Sequence, residues 1–428
     1  MILFLTLGLV IFLLMGMPVA LALGLSSIGA LISGGMIFQA SIIAQKMQFG
    51  LQNFILLAIP LFILAAKLMN TAGITQKIFG FADTLVGFLP GGLAHANVVA
   101  SLIFAGMSGA AVVDAAGLGQ IELDAMEKGG YPKPFAVAVT CASSTIGPIF
   151  PPSLPFVVFS FVSGVSVGRL FLGGVVPGVL MTVILMLMVA FYSKKHKYPR
   201  QPFPTWKTAL TSFLEALLPL FTPIILLGGI WLGFVTPTEA AAVAVCYALF
   251  IGVVVLQELS WRDLVQAFYE TAKETAMIGF VVAASTLYGW VLMRSGMTIR
   301  MAEWLISISD SALVILFIIN IFLLIVGCFL DSTVAILILG PILMPVIQRL
   351  GIDPVHFGVI MVLNLMIGLL TPPFGIVLFV MAEVSKLKFE KVVYATLPFL
   401  IPLFVVLILI VIFPGLVTWL PNLVMGLG

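Results

Sequence analysis

Thr145-Ile146-Gly147-Pro148-Ile149-Phe150-Pro151-Pro152-Ser153 in the first half of the chain is answered in the second by Met366-Ile367-Gly368-Leu369-Leu370-Thr371-Pro372-Pro373-Phe374, both in the order Ile-Gly-x-x-x-Pro-Pro. Each copy lies in a stretch apolar enough to cross a bilayer, where a broken backbone persists only if it is buried in protein or lines a cavity. A proline inside a helix removes the hydrogen bond to the carbonyl four residues earlier. Pro151 and Pro152 are thus expected to free the carbonyls of Gly147 and Pro148, and Pro372 and Pro373 those of Gly368 and Leu369. Adjacent free carbonyls are what a small hard cation binds. One such copy also reads as a plain kink satisfied by neighbouring helices; two in the same order point to a paired site.

Composition sets the surroundings of these breaks. The 428 residues are 62% hydrophobic and 8% charged, with a mean hydropathy of +1.27, which places the chain among integral membrane proteins. At roughly 20 residues per span it holds about ten spans plus shorter re-entrant pieces. The apolar runs are long and continuous and do not alternate, which excludes a membrane β-barrel. No charged residue precedes Lys46, so the N-terminus reads as a helix and not as a secretory signal. Cys141, Cys246 and Cys328 lack metal-ligand spacing, and His95, His196 and His356 are isolated with no H-E-x-x-H pattern, so a metal enzyme is not expected. The net charge of +2 comes without an extended basic patch, which argues against nucleic acid.

The densest basic run, Lys194-Lys195-His196-Lys197-Tyr198-Pro199-Arg200 followed by Lys207, belongs in the cytoplasm by the positive-inside rule. Spans near 169–192 and 135–163, counted back from that loop, make residues 91–127 enter and leave from the cytoplasm, with Gly106-Met107-Ser108-Gly109-Ala110-Ala111 at the tip and Asp114 just after. Spans near 209–234, 236–257 and 270–293 make residues 312–350 enter from outside, with Gly327-Cys328-Phe329-Leu330-Asp331 at the tip. Lys386, Lys388 and Lys391 then fall on the cytoplasmic side, as the rule requires, whereas Arg294 and Arg300 fall outside and do not fit it. Each half is therefore a hairpin with an acid near its tip followed by a proline-broken helix, and the halves enter from opposite faces.

The predicted fold is an all-α integral membrane protein of inverted repeats, with two re-entrant helical hairpins and two broken helices, of elevator type. The predicted units are N-terminal scaffold helices over 1–90, a first transport repeat over 91–192, a cytoplasmic loop and central scaffold over 193–310, a second transport repeat over 311–415 and a tail over 416–428.

Several polar residues could carry chemistry. Asp114 and Asp331 are acids in apolar surroundings, functional candidates because their burial is costly without a partner; each could instead be a tip acid satisfied by local backbone. Arg294 has the planar fork that suits a carboxylate, or it is a helix end that snorkels to water. Ser108 and Thr371 place hydroxyls beside the breaks, for a site or for close helix packing. Glu239 follows Thr236 and Pro237, where an acid complements a helix start, or it makes a substrate or hinge contact. Ser166 faces the site or caps the next helix.

Phe104-Ala105-Gly106-Met107-Ser108-Gly109-Ala110-Ala111-Val112-Val113-Asp114, the Ile-Gly-x-x-x-Pro-Pro pair and Thr236-Pro237-Thr238-Glu239-Ala240-Ala241 together resemble the large membrane subunit of tripartite ATP-independent periplasmic (TRAP) transporters, over nearly the whole chain. The resemblance implies a multi-pass protein of the bacterial inner membrane. It would act as a sodium-driven elevator for carboxylate substrates, sialic acid or a C4-dicarboxylate. It would work with a small four-helix membrane subunit and a soluble periplasmic binding protein, with sodium as coupling ion and no cofactor. The first implied sodium site is Ser108, Gly147, Phe150 and Pro152, and the second Gly327, Gly368, Thr371 and Pro373. Asp114, Ser166, Arg294 and Asp331 resemble positions tied to substrate or transport. Ala110 stands where relatives can have serine, which removes a hydroxyl. The first half of the chain leaves no room for a fused small subunit before the repeat. No G-x-x-x-x-G-K-[ST] loop is present, in keeping with ion-driven transport. A stand-alone sodium/anion symporter is the rival reading; an intramembrane enzyme would need a nucleophile and base at one depth, which the histidines do not offer.

Overall fold

The computed structural model describes residues 1–35, 40–309 and 311–426, so the predicted unit ends at 310 and 428 lie outside the described residues. Helices are the only regular secondary structure among the described residues, and eight of them are long and apolar enough to cross a membrane. Shorter apolar helices, such as Gly92–Ser108, Leu154–Ser163 and Pro354–Gly368, make up the rest of the apolar framework. Large apolar side chains such as Leu14, Leu187, Phe191 and Phe317 stand on the outside, as a lipid-facing surface requires.

Proline alone does not break these helices. Pro177, Pro219, Pro223, Pro341 and Pro345 all sit inside continuous helices. The breaks occur where two prolines are adjacent, because the first is then a residue before proline and is held away from helical angles. Lys133–Ser144 accordingly stops before Pro151-Pro152, and Leu154–Ser163 restarts on the Ser153 cap, whose hydroxyl accepts from Phe156 N at 3.2 Å. Pro354–Gly368 stops before Pro372-Pro373, and Ile376–Ser385 restarts after Gly375, whose φ of 57° suits glycine. Both proline pairs are cis.

The structure corrects the carbonyl count made from helical register. Pro148 O accepts the Ser153 hydroxyl. Gly368 O accepts Thr371 N at 2.9 Å, and Leu369 O accepts Val377 N at 3.3 Å. Among the described residues only Gly147 O of the four has no donor. The chain turns at each break and does not continue helically, so new donors reach three of the oxygens.

The segment 91–131 is a bent hairpin of Gly92–Ser108, Ala111–Ala116 and Leu118–Lys128. Both of its ends meet the basic loop: Gly91 N donates to Pro199 O at 3.1 Å and Tyr131 Oη to the same oxygen at 2.9 Å. In the second half Ala312–Phe329 and Ser332–Arg349 form the matching hairpin, and Ala312 and Leu350 at its two ends line one cavity.

The halves interlock. Leu154–Ser163, after the first break, packs on Ser332–Arg349 of the second hairpin, and Ile376–Ser385, after the second break, packs on Ala111–Ala116 of the first. Around them, Val19–Ser33, Ala40–Leu51 and Ala58–Thr71 pack on the long helix Trp261–Arg294, while Trp206–Trp231 packs on Pro237–Leu249. The segment read as a tail contains a helix, Gly415–Met425, packed on Val167–His196. Arg169 holds it there, donating to Asn422 Oδ1 at 2.6 Å and Gly426 O at 2.8 Å.

Candidate functional site

Each hairpin tip meets the break of its own half. At the first, Gly109 ends Gly92–Ser108 with φ 64°, and a Cβ there would strike Pro152 O at 2.5 Å. Gly109 O accepts Leu154 N at 3.3 Å. The Ser108 hydroxyl donates to Asp114 Oδ1. Asp114 Oδ2 is buried without a hydrogen-bond partner and occupies the space left by the missing Cβ of Gly147. Ser108, Asp114, Gly147 and Pro152 thus converge, and a carboxylate oxygen set against Gly147, whose carbonyl has no donor among the described residues, is the hard-oxygen chemistry that could hold a sodium ion. Phe150 lies beside them with its ring against Gly178.

At the second tip the contact is backbone on backbone. A Cβ on Gly368 would lie 2.5 Å from Gly327 C and 2.6 Å from its Cα. Cys328 O accepts Gly375 N at 3.3 Å across the break. The Thr371 hydroxyl donates to Ile367 O at 2.7 Å, and Pro373 is exposed. Asp331 caps Ser332–Arg349, its Oδ1 accepting Thr333 N at 2.8 Å.

One turn before each break a buried amide ties the helix to its hairpin. Ser143 Oγ donates to Asn97 Oδ1 at 2.7 Å and Asn97 Nδ2 to Thr140 Oγ1 at 2.7 Å. In the second half Asn364 Nδ2 donates to Asn320 O at 3.0 Å and Asn320 Oδ1 at 2.5 Å. Sequence reasoning missed these clamps, although Ser143 and Asn364 stand four residues before Gly147 and Gly368 in the two copies. It also missed Glu122, whose Oε1 is buried without a partner; the charged neighbours of Glu122 along the chain gave no hint of burial.

A cavity of about 490 Å³ lies where the two tips and the two breaks meet, bounded by residues 110–113, Pro148, Leu154, Asp331–Val334, Leu369 and Ile376, with Glu274 and Met277 of Trp261–Arg294 as its far wall. A second cavity of about 470 Å³ shares Ile63, Ala110, Val112, Val113, Leu154 and Glu274 with it and extends to Lys67 and Asp263. The two make one cleft between the interlocked repeats and the outer helices.

The remaining candidates stand outside this cleft. Ser166 is exposed and caps Val167–His196. Glu239 is exposed and closes a capping box, its Oε2 accepting Thr236 N at 2.7 Å and Thr236 Oγ1 at 2.8 Å. Arg294 is exposed at a helix end, 5.6 Å from the ring centre of Trp290.

Two interlocked repeats, each with a tip set against its own broken helix and together enclosing a cleft, define a polytopic membrane transport protein. The family profile described as "Tripartite ATP-independent periplasmic transporter, DctM component" matches residues 6–416. The chain is 46% identical over 385 residues to the sialic acid TRAP transporter large permease protein SiaM of Vibrio cholerae, covering 90% of each chain. It is 38% identical to the C4-dicarboxylate TRAP transporter large permease protein DctM of the same organism, covering 95% of this chain and 94% of that one. Among solved structures it is similar to the YdaH transporter of Alcanivorax borkumensis, with a TM-score of 0.65 at 13% identity over 91% of this chain and 90% of that one, a likeness of fold. The chain belongs to the DctM family of TRAP transporter large permeases. It is a multi-pass protein of the bacterial inner membrane, and a permease component rather than an enzyme.

Proposed function

We propose that this chain is the sodium-coupled membrane subunit of an importer for an organic acid, with sialic acid the first substrate to test. The observation that carries the proposal is the apposition of tip and break in both halves around one cavity. Sodium at Ser108, Asp114 Oδ2, Gly147 and Pro152, and at Gly327, Gly368 and Thr371, would hold each tip on its break and so shape the cavity that takes the substrate. Phe150 and Pro373 complete the two sets. Asp331 borders the cavity directly, and Asp114 acts through the first site.

The hairpins are read as re-entrant because each has both ends together, the first at the basic cytoplasmic loop. The interlocked repeats would then travel as one body against the outer helices, which is elevator transport. Each net positive charge carried inward gains about 2.3 kcal/mol per 100 mV, and the sodium gradient adds to this. A periplasmic binding protein would deliver the acid, and a small four-helix membrane subunit would complete the wall. The greater identity to a sialic acid permease than to a C4-dicarboxylate permease supports sialic acid.

The test is uptake of labelled sialic acid into proteoliposomes holding the chain and its small subunit under an inward sodium gradient, with and without the binding protein. Uptake that needs both sodium and binding protein is expected. Sodium-driven uptake without the binding protein would favour a stand-alone symporter. No uptake of sialic acid, with uptake of succinate instead, would reassign the substrate.

A further inference from the structure

The cleft runs from the tips and breaks toward the Asp263 end of Trp261–Arg294. That end lies on the side of the basic 194–200 loop, because Trp206–Trp231 and Pro237–Val255 are two successive spans between them. An anion leaving the central cavity toward the cytoplasm therefore passes Lys67 on one wall and Glu274, Glu270 and Asp263 on the other. Among the residues lining the two connected cavities, the carboxylates are Asp263, Glu270, Glu274 and Asp331, and Lys67 is the one cation. Three of these acids, Asp263, Glu270 and Glu274, repel an organic acid along this path, and Lys67 is the single point of attraction among the residues lining it.

Lys67 is held but not saturated. Its Nζ lies 2.8 Å from Glu270 Oε2 and 2.9 Å from Glu274 Oε1, and its side chain is 18% exposed against 45% and 36% for the two acids. An ammonium has three donors, and two are engaged. Glu270 is also bonded by Gln266 Nε2 at 2.7 Å on its own helix. Glu274 has no such second bond among the described residues, and it lines both cavities. A carboxylate arriving from the central cavity meets Glu274 first and finds one lysine donor without a protein partner among the described residues.

We propose that Lys67 is a carboxylate-binding station on the scaffold wall of the cytoplasmic exit. The leaving substrate takes the third donor and competes with Glu274 for the ammonium. The inference rests on the organic-acid importer reading and adds a specificity-determining residue to it.

The test uses the purified chain with its small subunit in nanodiscs, in sodium, with labelled sialic acid and its uncharged methyl ester as probes. Loss of one charge-assisted hydrogen bond predicts that Lys67→Gln binds the acid about tenfold more weakly, while the ester changes less than about twofold. Lys67→Arg should restore most of the affinity for the acid. Glu274→Gln, which removes a competing carboxylate and keeps the cation, should tighten the acid by about two- to threefold. Equal losses for acid and ester in Lys67→Gln would make the lysine a brace between two wall helices and overturn the inference, as would unchanged binding of the acid. Should Lys67→Gln fail to fold, weaker binding of the acid by Glu274→Gln would overturn it on its own. An unsubstituted protein that binds no sialic acid in sodium would refute the importer reading itself, a result separate from any of these.

Discussion

Gly368→Ala and Gly327→Ala touch the same contact from its two sides, and the structure makes them unequal. A Cβ at 368 would lie 2.5 Å from Gly327 C, 2.6 Å from its Cα and 2.9 Å from its carbonyl oxygen, all backbone atoms. Ordinary contact begins at 3.4 Å, so the tip and the broken helix would have to separate by about 0.9 Å. A Cβ at 327 would meet Gly368 Cα at 3.2 Å and the Leu365 Cα and carbonyl at 3.3 Å, which asks for about 0.2 Å. Overpacking of this kind costs about 1–3 kcal/mol, and a displacement near 1 Å of binding atoms costs about a hundredfold in rate. Gly368→Ala should therefore lower the initial rate of sodium-driven sialic acid uptake by about a hundredfold, and raise the half-saturating sodium concentration. Gly327→Ala should lose less than about tenfold, because the neighbouring backbone can give by a few tenths of an ångström. The assay is uptake into proteoliposomes, with size-exclusion profiles and melting temperatures to show that both variants fold. Normal uptake by Gly368→Ala, or a deeper loss in Gly327→Ala, would refute the reasoning that this backbone contact sets the second site.

Other perturbations separate binding from architecture. Ser108→Ala and Asp114→Asn should each raise the half-saturating sodium concentration by about tenfold with little change in the external sialic acid dependence, since one charge-assisted oxygen is lost; unchanged sodium dependence would remove Asp114 from the site. Gly109→Ala, which combines φ 64° with a clash on Pro152 O, should abolish uptake while Gly164→Ala, at φ 74° with open space around it, costs only about 1 kcal/mol of stability. Glu239→Gln keeps the capping-box acceptor and should transport normally, whereas Glu239→Leu should lower the melting temperature, because it loses the bonds from Thr236. A transport defect in Glu239→Gln at an unchanged melting temperature would show that the charge, not the cap, matters.

The architecture was legible where the chain's local chemistry leaves no choice. A bilayer cannot satisfy an open backbone, so long apolar runs had to be helices. Adjacent prolines cannot lie within a helix, so 151–152 and 372–373 had to be breaks. Their repetition in one order, each after a small-residue tip and an acid, was enough to pair the halves; the family resemblance grouped Ser108 with Gly147, and only the packed structure brought Asp114 to them. Register arithmetic failed at the carbonyls, because it assumed that the helix runs on through the break, where the chain in fact turns back and Ser153, Thr371 and Val377 supply donors. Glu239 and Ser166 had a legible cap role, since a helix start is a local event.

Contacts between distant segments were beyond the sequence's reach for a plain reason: apolar helices pack in many arrangements, and composition does not choose among them. Nothing local to Lys67 announces Glu270, 203 residues on, nor does Gly327 announce that its backbone will lie on Gly368. The crossing of the repeats, with each post-break helix seated on the other half's hairpin, likewise arises only in the packed state. The amino-acid sequence by itself determined a helical membrane protein with two matched breaks, because proline and hydrophobicity act on the nearest few residues. The tertiary structure alone decided which atoms face the breaks and which charges line the way out, because those depend on how the whole set of helices closes around one cavity.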